Sequence, residues 1–351
     1  MSNPRRVTAN FKFNGKWLGE SLKDYLQSVT YTDIASGQSD QLDIVLQNIK
    51  MDWLGKRYPK KGDRVDGKIT FVNWDGIRDR KLDCGAFVLD SIKFSGGPLT
   101  ASFGCLASPI DSDFSARDRS KTYKGVTVQE IAQEIADRYG LKLQCSGANI
   151  RIEAIEQSQK TDSAFLQDLC DTYGLALKVY KKAIVVYDQT EMEGKKPVKN
   201  LTRESFIDDK WDYEDALVGV YTGARISYKP AEGGDEISVY VGQKAEDAKD
   251  ARVLHVNETA DSVADAYRKA AVAVNKSNQE ATKLSGDIWP DPKICAGVTV
   301  EVSGLGHADG KYFVDKCVTE AGGSKARQSV EMHKCYERLA CEPEPEEGAK
   351  K

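Results

Sequence analysis

Apolar and polar residues alternate along most of the first ~110 positions. Leu42, Ile44 and Leu46 form one such set, and Leu99, Ala101, Phe103, Cys105 and Ala107 form another. A period of two places each set on one face of a half-buried strand. Turn residues punctuate the runs: Ser36-Gly37-Gln38-Ser39, Asp75-Gly76 after Phe71-Val72-Asn73-Trp74, and Gly96-Gly97-Pro98. Asp-Gly suits a two-residue hairpin, where φ must be positive. Short strands at this spacing predict a sandwich or small barrel, with one short helix near Tyr25.

After residue 120 the period changes. Val128, Ile131, Ala132, Ile135, Ala136 and Tyr139 fall on one face of a helix. Thr127 and Glu130 form a capping box at its start, and Gly140 stands where a left-handed glycine would end it. Asp137 to Leu143 (DRYGLKL) then recurs as Asp171 to Leu177 (DTYGLAL), 34 residues on. Phe165, Leu166, Leu169 and Cys170 take the places of Ile131, Ala132, Ile135 and Ala136. A 34-residue period invites a tetratricopeptide reading, but each unit carries one helix, not two. Ile150-Arg151-Ile152 and Ala183 to Tyr187 read as strands. The segment is a small α+β domain built from a repeated helix–glycine–strand–strand unit.

Residues 190–202, a Lys/Glu/Gly/Pro stretch that includes Glu191 to Pro197 (EMEGKKP), read as a linker. Alternation resumes at Ala224, Ile226 and Tyr228, turns at Glu232-Gly233-Gly234-Asp235, and returns through Ile237, Val239 and Val241. One amphipathic helix follows from about Asp261 to Ser277, with Val263, Tyr267, Ala270, Ala271 and Val274 on its buried stripe. Val298, Val300 and Val302, then Tyr312 to Thr319 and, past a Gly322-Gly323 turn, Ser329 to Cys335 predict closing strands. The end, from Cys341-Glu342-Pro343-Glu344, reads as disordered and acidic. The organisation is a β-domain at 1–112, an α+β insert at 113–190, a second β-domain with one long helix at 191–336, and a tail at 337–351.

Composition narrows the classes. The 351 residues suffice for two or three domains, and 40 % hydrophobic content can fill their cores. A net charge of −4 gives no general attraction to DNA or anionic lipid, so neither specific nucleic-acid binding nor a membrane partner is expected. Arg5-Arg6 is followed by strand-like alternation rather than an apolar core, so no signal peptide is expected, and the chain is expected to be made and kept in a cytosol unless something else exports it. No apolar run approaches the ~20 residues that span a bilayer.

Candidate chemistry is sparse. The eight cysteines contain no CxxC pair, and with three histidines no zinc spacing arises. Most are expected to be reduced and to lie in or beside cores, with Cys341 exposed. Gly304-Leu305-Gly306 with Gly310 has the wrong spacing for a dinucleotide loop, and a strand follows where a helix should open; a glycine-rich hairpin is expected. His307 is a lone loop histidine. Two positioned acids would suffice to cleave peptidoglycan, but none of the 54 Asp and Glu stands in a recognisable lytic context. The tryptophans at 17, 53, 74, 211 and 289 are scattered and mostly lack interleaved basic runs, so core or interface anchoring is expected. Lys56 to Lys61 is locally basic but reads as a turn. No catalytic, cofactor or metal residue is assigned.

Several segments resemble the late control protein D family of phage baseplate hub proteins. They are Lys60-Lys61-Gly62-Asp63-Arg64-Val65 with Lys81 to Asp90, the insert with its doubled Tyr-Gly-Leu and Glu156-Gln157-Ser158 … Asp162 to Leu166, and Ala296 to Val300 … Gly304-Leu305-Gly306 … Asp309 to Val314. The likeness runs over about residues 5 to 335. The hub region of type VI secretion spike proteins is similar. The resemblance implies two tail-tube-like β-barrels per chain and a homotrimer that forms a ring of six barrels. That ring would join a sixfold tail tube to a threefold spike, with the tube protein, the spike protein and other baseplate proteins as partners, in the tail of a phage or tail-like particle. It implies no enzyme. The competing readings are a tail-associated peptidoglycan hydrolase or cell-wall-binding protein, and a secretion-system component on the same scaffold.

Overall fold

A computed structural model describes residues 5–17, 25–74, 79–107, 113–180, 182–228, 236–322 and 325–342. Its elements, in chain order, begin with β1 (Arg6–Phe13), β2 (Lys16–Trp17), β3 (Leu26–Ile34), β4 (Gln41–Gln47), β5 (Arg64–Val72), β6 (Arg80–Ser95) and β7 (Thr100–Leu106). The insert holds α1 (Asp113–Ala116), β8 (Asp118–Thr127), α2 (Val128–Arg138), β9 (Lys142–Cys145), β10 (Arg151–Thr161), α3 (Asp162–Tyr173), β11 (Leu175–Tyr180) and β12 (Ala183–Asp188). Then come α4 (Gln189–Gly194), β13 (Asn200–Leu201), β14 (Phe206–Asp215), β15 (Gly223–Tyr228), β16 (Ile237–Gly242), β17 (Val253–Val256) and α5 (Val263–Gln279). The last strands are β18 (Thr282–Ile288), β19 (Thr299–Val302), β20 (Gly310–Gly322) and β21 (Lys325–Lys334). The fold is mainly β, as the alternating patterns predicted. The expected helix near Tyr25 and the turns at Asp75-Gly76 and 232–235 lie in or against segments outside the described residues.

The two expected barrels are not closed. Among the described residues, thirteen strands from both ends of the chain form one sheet, in the order β14-β18-β21-β20-β3-β4-β7-β6-β5-β1-β2, with β13 and β19 branching beside β20. The reason lies in β20. Its Lys316 to Ala321 pair antiparallel with β3 from Ile34 to Val29, so hydrogen bonds that would seal each half on itself instead bridge the two halves. At the end of β20, a Cβ on Gly322 would lie 2.7 Å from Gln27 O and 2.8 Å from Ser28 Cα. Only glycine lets this strand come so close to β3.

Each half keeps its own core. Leu42, Ile44, Phe71, Phe87 and Phe103 centre the first, while Leu284, Val300, Tyr312, Val314 and Met332 centre the second. The β4 and β7 alternations bury as read, with Leu42, Ile44 and Leu46 at 0–1 % exposure. Leu99 is the exception, exposed in the turn before β7.

The strands at 223–242 do not join the large sheet. β15 pairs antiparallel with β16 and parallel with β17, and α5 covers this small sheet through Ala266, Ala270, Ala271 and Val274. Val263, expected on that stripe, sits in the first turn and is exposed. Cys341, expected in solvent, is half-buried against the same core. The residues beyond Glu342 lie outside the described set, and the expected disorder of the acidic tail falls there.

In residues 113–188 the 34-residue spacing extends one position set upstream of the two helices. Thr127 and Thr161, also 34 residues apart, end β8 and β10 and cap α2 and α3. Each Thr Oγ1 accepts the N–H three residues on, at 3.2 Å. Glu130 closes the predicted capping box on α2, while Ala164 leaves α3 without one. β8 and β10 pair with each other, and β11-β12-β9 form a second sheet. Asp162, fully buried at the start of α3, accepts hydrogen bonds from Arg138, Tyr139 and Gln157 and lies 3.2 Å from Arg119.

Gly140 and Gly174 have φ of 61° and 73°, as the repeat requires. They differ in surroundings: a Cβ on Gly140 meets open space, whereas one on Gly174 would lie 2.8 Å from Val272 Cγ2 on α5. Gly140→Ala should therefore cost only the left-handed backbone penalty, about 1–2 kcal/mol. Gly174→Ala should cost that plus about 1 kcal/mol or more for displacing Val272. Urea unfolding of the two variants checks the order; equal losses would mean that α3 does not dock on α5.

Candidate functional site

Two buried charge junctions tie the units together, and both join residues far apart in sequence. In the first, Lys178 of β11 reaches the turn between β3 and β4. Its Nζ pairs with Asp33, lies 3.1 Å from Asp40 and donates to Ile34 O at 2.9 Å. Asp33 also accepts the N–H of Ala296 at 3.0 Å, and Tyr187 donates to Ala35 O at 2.8 Å. One ammonium thus holds the insert against the place where the two halves of the sheet meet. Burial, opposed by Lys178, pushes the Asp40 carboxyl up to about 6. For Lys178 burial works against the charge, but Asp33 and Asp40 outweigh it and raise its pKa.

The second junction centres on His333 of β21. Its Nδ1 lies 2.8 Å from Asp315 of β20, and its Nε2 lies 3.1 Å from Glu193 of α4. Arg338, just past β21, donates its Nε to Glu193 at 2.9 Å and caps the same carboxylate through Nη2. Burial would lower the His333 pKa, but the bonds to Asp315 and Glu193 raise it from 6.5 to about 9. Burial likewise opposes the Glu193 charge, yet His333 and Arg338 hold its pKa below the ordinary value. The stretch read as a linker is therefore partly helical, and Glu193 is an anchor. Beside this junction lies a cavity of about 380 Å³ lined by Asn275, Gln279, Thr282, Tyr336 and Leu339, among others.

Neither junction is arranged for catalysis. A general base needs a ring nitrogen free to meet substrate, and both nitrogens of His333 face carboxylates. Asp40 has the shifted pKa of a general acid, but it is 1 % exposed and faces Lys178. His307 is exposed in the turn between β19 and β20, and that glycine-rich loop is a hairpin with one 3-10 turn. Among the described residues no three His, Cys, Asp or Glu side chains gather in a way that could hold a metal. Among the same residues no helix is long and apolar enough to cross a membrane. Trp53 is buried against Phe103, Trp211 is half-buried, and Trp74 meets the exposed Trp289 at 5.9 Å; the side chain of Trp17 lies outside the described set. All eight cysteines are free, with Cys84, Cys105, Cys170 and Cys317 buried.

The fold is that of phage tail proteins. A tail protein from Neisseria meningitidis MC58 matches with a TM-score of 0.69 at 14 % identity, over 94 % of this chain and 97 % of that one. The 43 kDa tail protein of prophage MuSo2 from Shewanella oneidensis gives 0.68 at 13 % identity, over 93 % and 98 %. The E. coli c3393 protein, described as a type VI secretion component structurally similar to T4 tail proteins gp27 and gp5, gives 0.54 at 13 % identity, over 95 % and 80 %. In sequence, the chain is similar to the probable baseplate hub proteins of Escherichia phages 186 and P2. Identity to each is 27 %, over 226 residues (63 % of this chain) and 210 residues (58 %) respectively. The match spans 53 % and 51 % of those relatives, about half of their length. No family model matches. The resemblance to baseplate hub proteins drawn from the sequence agrees with these relatives.

His333 gives a pH dependence with a defined sign. Its folded pKa is raised, so its contribution is complete below about 6.5 and is lost as pH rises through about 9. It is worth up to about 3 kcal/mol. Thermal melts across that window should show stability falling for the native chain, and a much flatter profile for His333→Gln. Identical slopes for both would mean that the imidazolium contributes nothing.

Proposed function

We propose that this chain is a structural hub of a phage tail baseplate or of a related contractile particle, working as a homotrimeric ring between a sixfold tail tube and a threefold spike. The observation that carries this reading is sequence similarity to two baseplate hub proteins on a chain whose whole fold is that of tail proteins. The β20–β3 ladder supports it mechanically. It makes two β-rich halves one continuous unit, so three copies would present six tube-like positions without hinges between paired halves. The chain is read as non-enzymatic, with the tube protein, the spike protein and other baseplate proteins as its partners. The buried carboxylates Asp40, Asp162 and Glu193 face cations inside the packed interior, which lends the hydrolase alternative no support at those positions.

Native mass spectrometry of intact particles, or a map of the tail tip, tests the assembly. Three copies at the tube–spike junction are expected. Six copies, or another protein in that place, would refute the hub reading. A peptidoglycan zymogram of the purified chain should stay blank; a cleared band lost on replacing one Asp or Glu would restore the hydrolase.

A further inference from the structure

Two exposed patches on opposite parts of the large sheet share an apolar character and carry opposite charge. The first is the loop between β4 and β5. Trp53 pins it, packing edge-on against Phe103 at 5.3 Å while its backbone N–H donates to Asn48 Oδ1. Around that anchor, Ile49 (67 %), Leu54 (46 %) and Tyr58 (53 %) stand exposed. Lys50, Lys56, Arg57, Lys60 and Lys61 surround them, against Asp52 and Asp63. The basic run that read as a turn is a fixed, apolar, cationic platform.

The second patch is β14 and the turn after it. β14 is an edge of the large sheet, and among the described residues no strand pairs with its outer side. Trp211 and Tyr213 pack toward the core, which leaves Asp212 and Glu214 in solvent. Asp208 and Asp209 lie in the bulge before them, paired with Lys210 and Arg203, and the strand ends at Asp215, so acids still outnumber bases along the edge. Directly beyond it, Leu217 and Val218 are 74 % and 90 % exposed, which is costly for large apolar side chains unless something covers them.

We infer that the β4–β5 loop of one copy docks on the β14 edge and the Leu217–Val218 turn of the next copy. The inference rests on the reading of the chain as a ring-forming hub, and it names the contacting surfaces. Three observations select this occupant. The charges are complementary and each patch offers apolar side chains, so burial and attraction act together. Two β14 edges would set acid against acid, which disfavours edge-to-edge pairing, whereas a loop-to-edge contact can repeat head to tail, the kind that builds rings. Finally, Ile49, Leu54, Leu217 and Val218 all stand exposed in the single chain, so one copy's own loop does not cover its own edge.

Photo-crosslinking of the purified full-length chain tests this. A benzophenone amino acid replaces Leu217, an exposed position. Irradiation should give a covalent dimer whose crosslinked peptide lies within residues 48–61 of the other copy. Arg57→Glu with Lys61→Glu should cut the yield at least tenfold, and Asp212→Lys with Glu214→Lys added to the same chain should restore it. All variants should melt with the native chain, since these side chains are exposed. Crosslinks only elsewhere, no covalent dimer, or a yield that ignores charge reversal would overturn the inference. Absence of the chain from particles would instead remove the hub reading and leave the crosslink result standing.

Discussion

The ladder between β20 and β3 is the constraint on which the remaining structure depends. It is antiparallel, runs from Lys316–Ile34 to Ala321–Val29, and joins segments almost 290 residues apart. Without it the molecule would be two small β-units tethered through the insert. With it, two hydrophobic cores share one backbone hydrogen-bond network, and the register of one half fixes that of the other. Gly322 shows how tightly this joint is made, because even a methyl group there would strike the β3 backbone. A joint formed by main-chain bonds resists shear better than side-chain packing alone, as the proposed hub role would require.

The charge junctions brace that joint from both sides. Lys178 ties the insert to the start of the shared ladder through Asp33 and Asp40, while Asp315, His333 and Glu193 hold α4 against β20 and β21. Buried ion pairs are poor sources of net stability, since desolvation offsets most of their attraction. Their value is directional. A displaced Lys178 would leave two carboxylates buried without a cation, so the insert has one favourable seat. At Glu193, Arg338 bonds both carboxylate oxygens and His333 shares Oε1, so losing Arg338 would remove a bond from each oxygen in a buried place.

Local features were legible in the sequence and distant ones were not. The capping box at Thr127, the positive φ at Gly140 and Gly174, and the buried alternation at Leu42, Ile44 and Leu46 each depend on residues a few positions apart, where periodicity carries the information. The 34-residue repeat was visible for the same reason. The junctions were invisible because Lys178 meets Asp33 across 145 residues and Arg338 meets Glu193 across the same interval. A lone Glu in a Lys/Gly/Pro stretch gives no sign that it will be buried. The strands at 223–242 misled because alternation identifies a half-buried strand but not the sheet it joins. The closed barrels came from the family resemblance, and the sheet departs from them at the strand whose length allows two successive partners.

An open sheet of thirteen strands leaves an edge that must be dealt with. β14 shows the usual defences, a bulge at Asp208–Asp209 and a row of acids, and these prevent pairing with an identical edge. Defence alone does not account for Leu217 and Val218, which lie beside the acids almost fully exposed. A strand protected only against aggregation would have no apolar pair at its end. The combination of charge that rejects a like edge and apolar surface that rewards coverage describes an edge selective for one kind of partner, basic and apolar together. The β4–β5 loop has that composition and is held rigid by Trp53, so little ordering entropy opposes its docking. The openness of the sheet, which looks like a failure to close a barrel within one chain, would then leave each copy of the proposed ring an edge to offer the next.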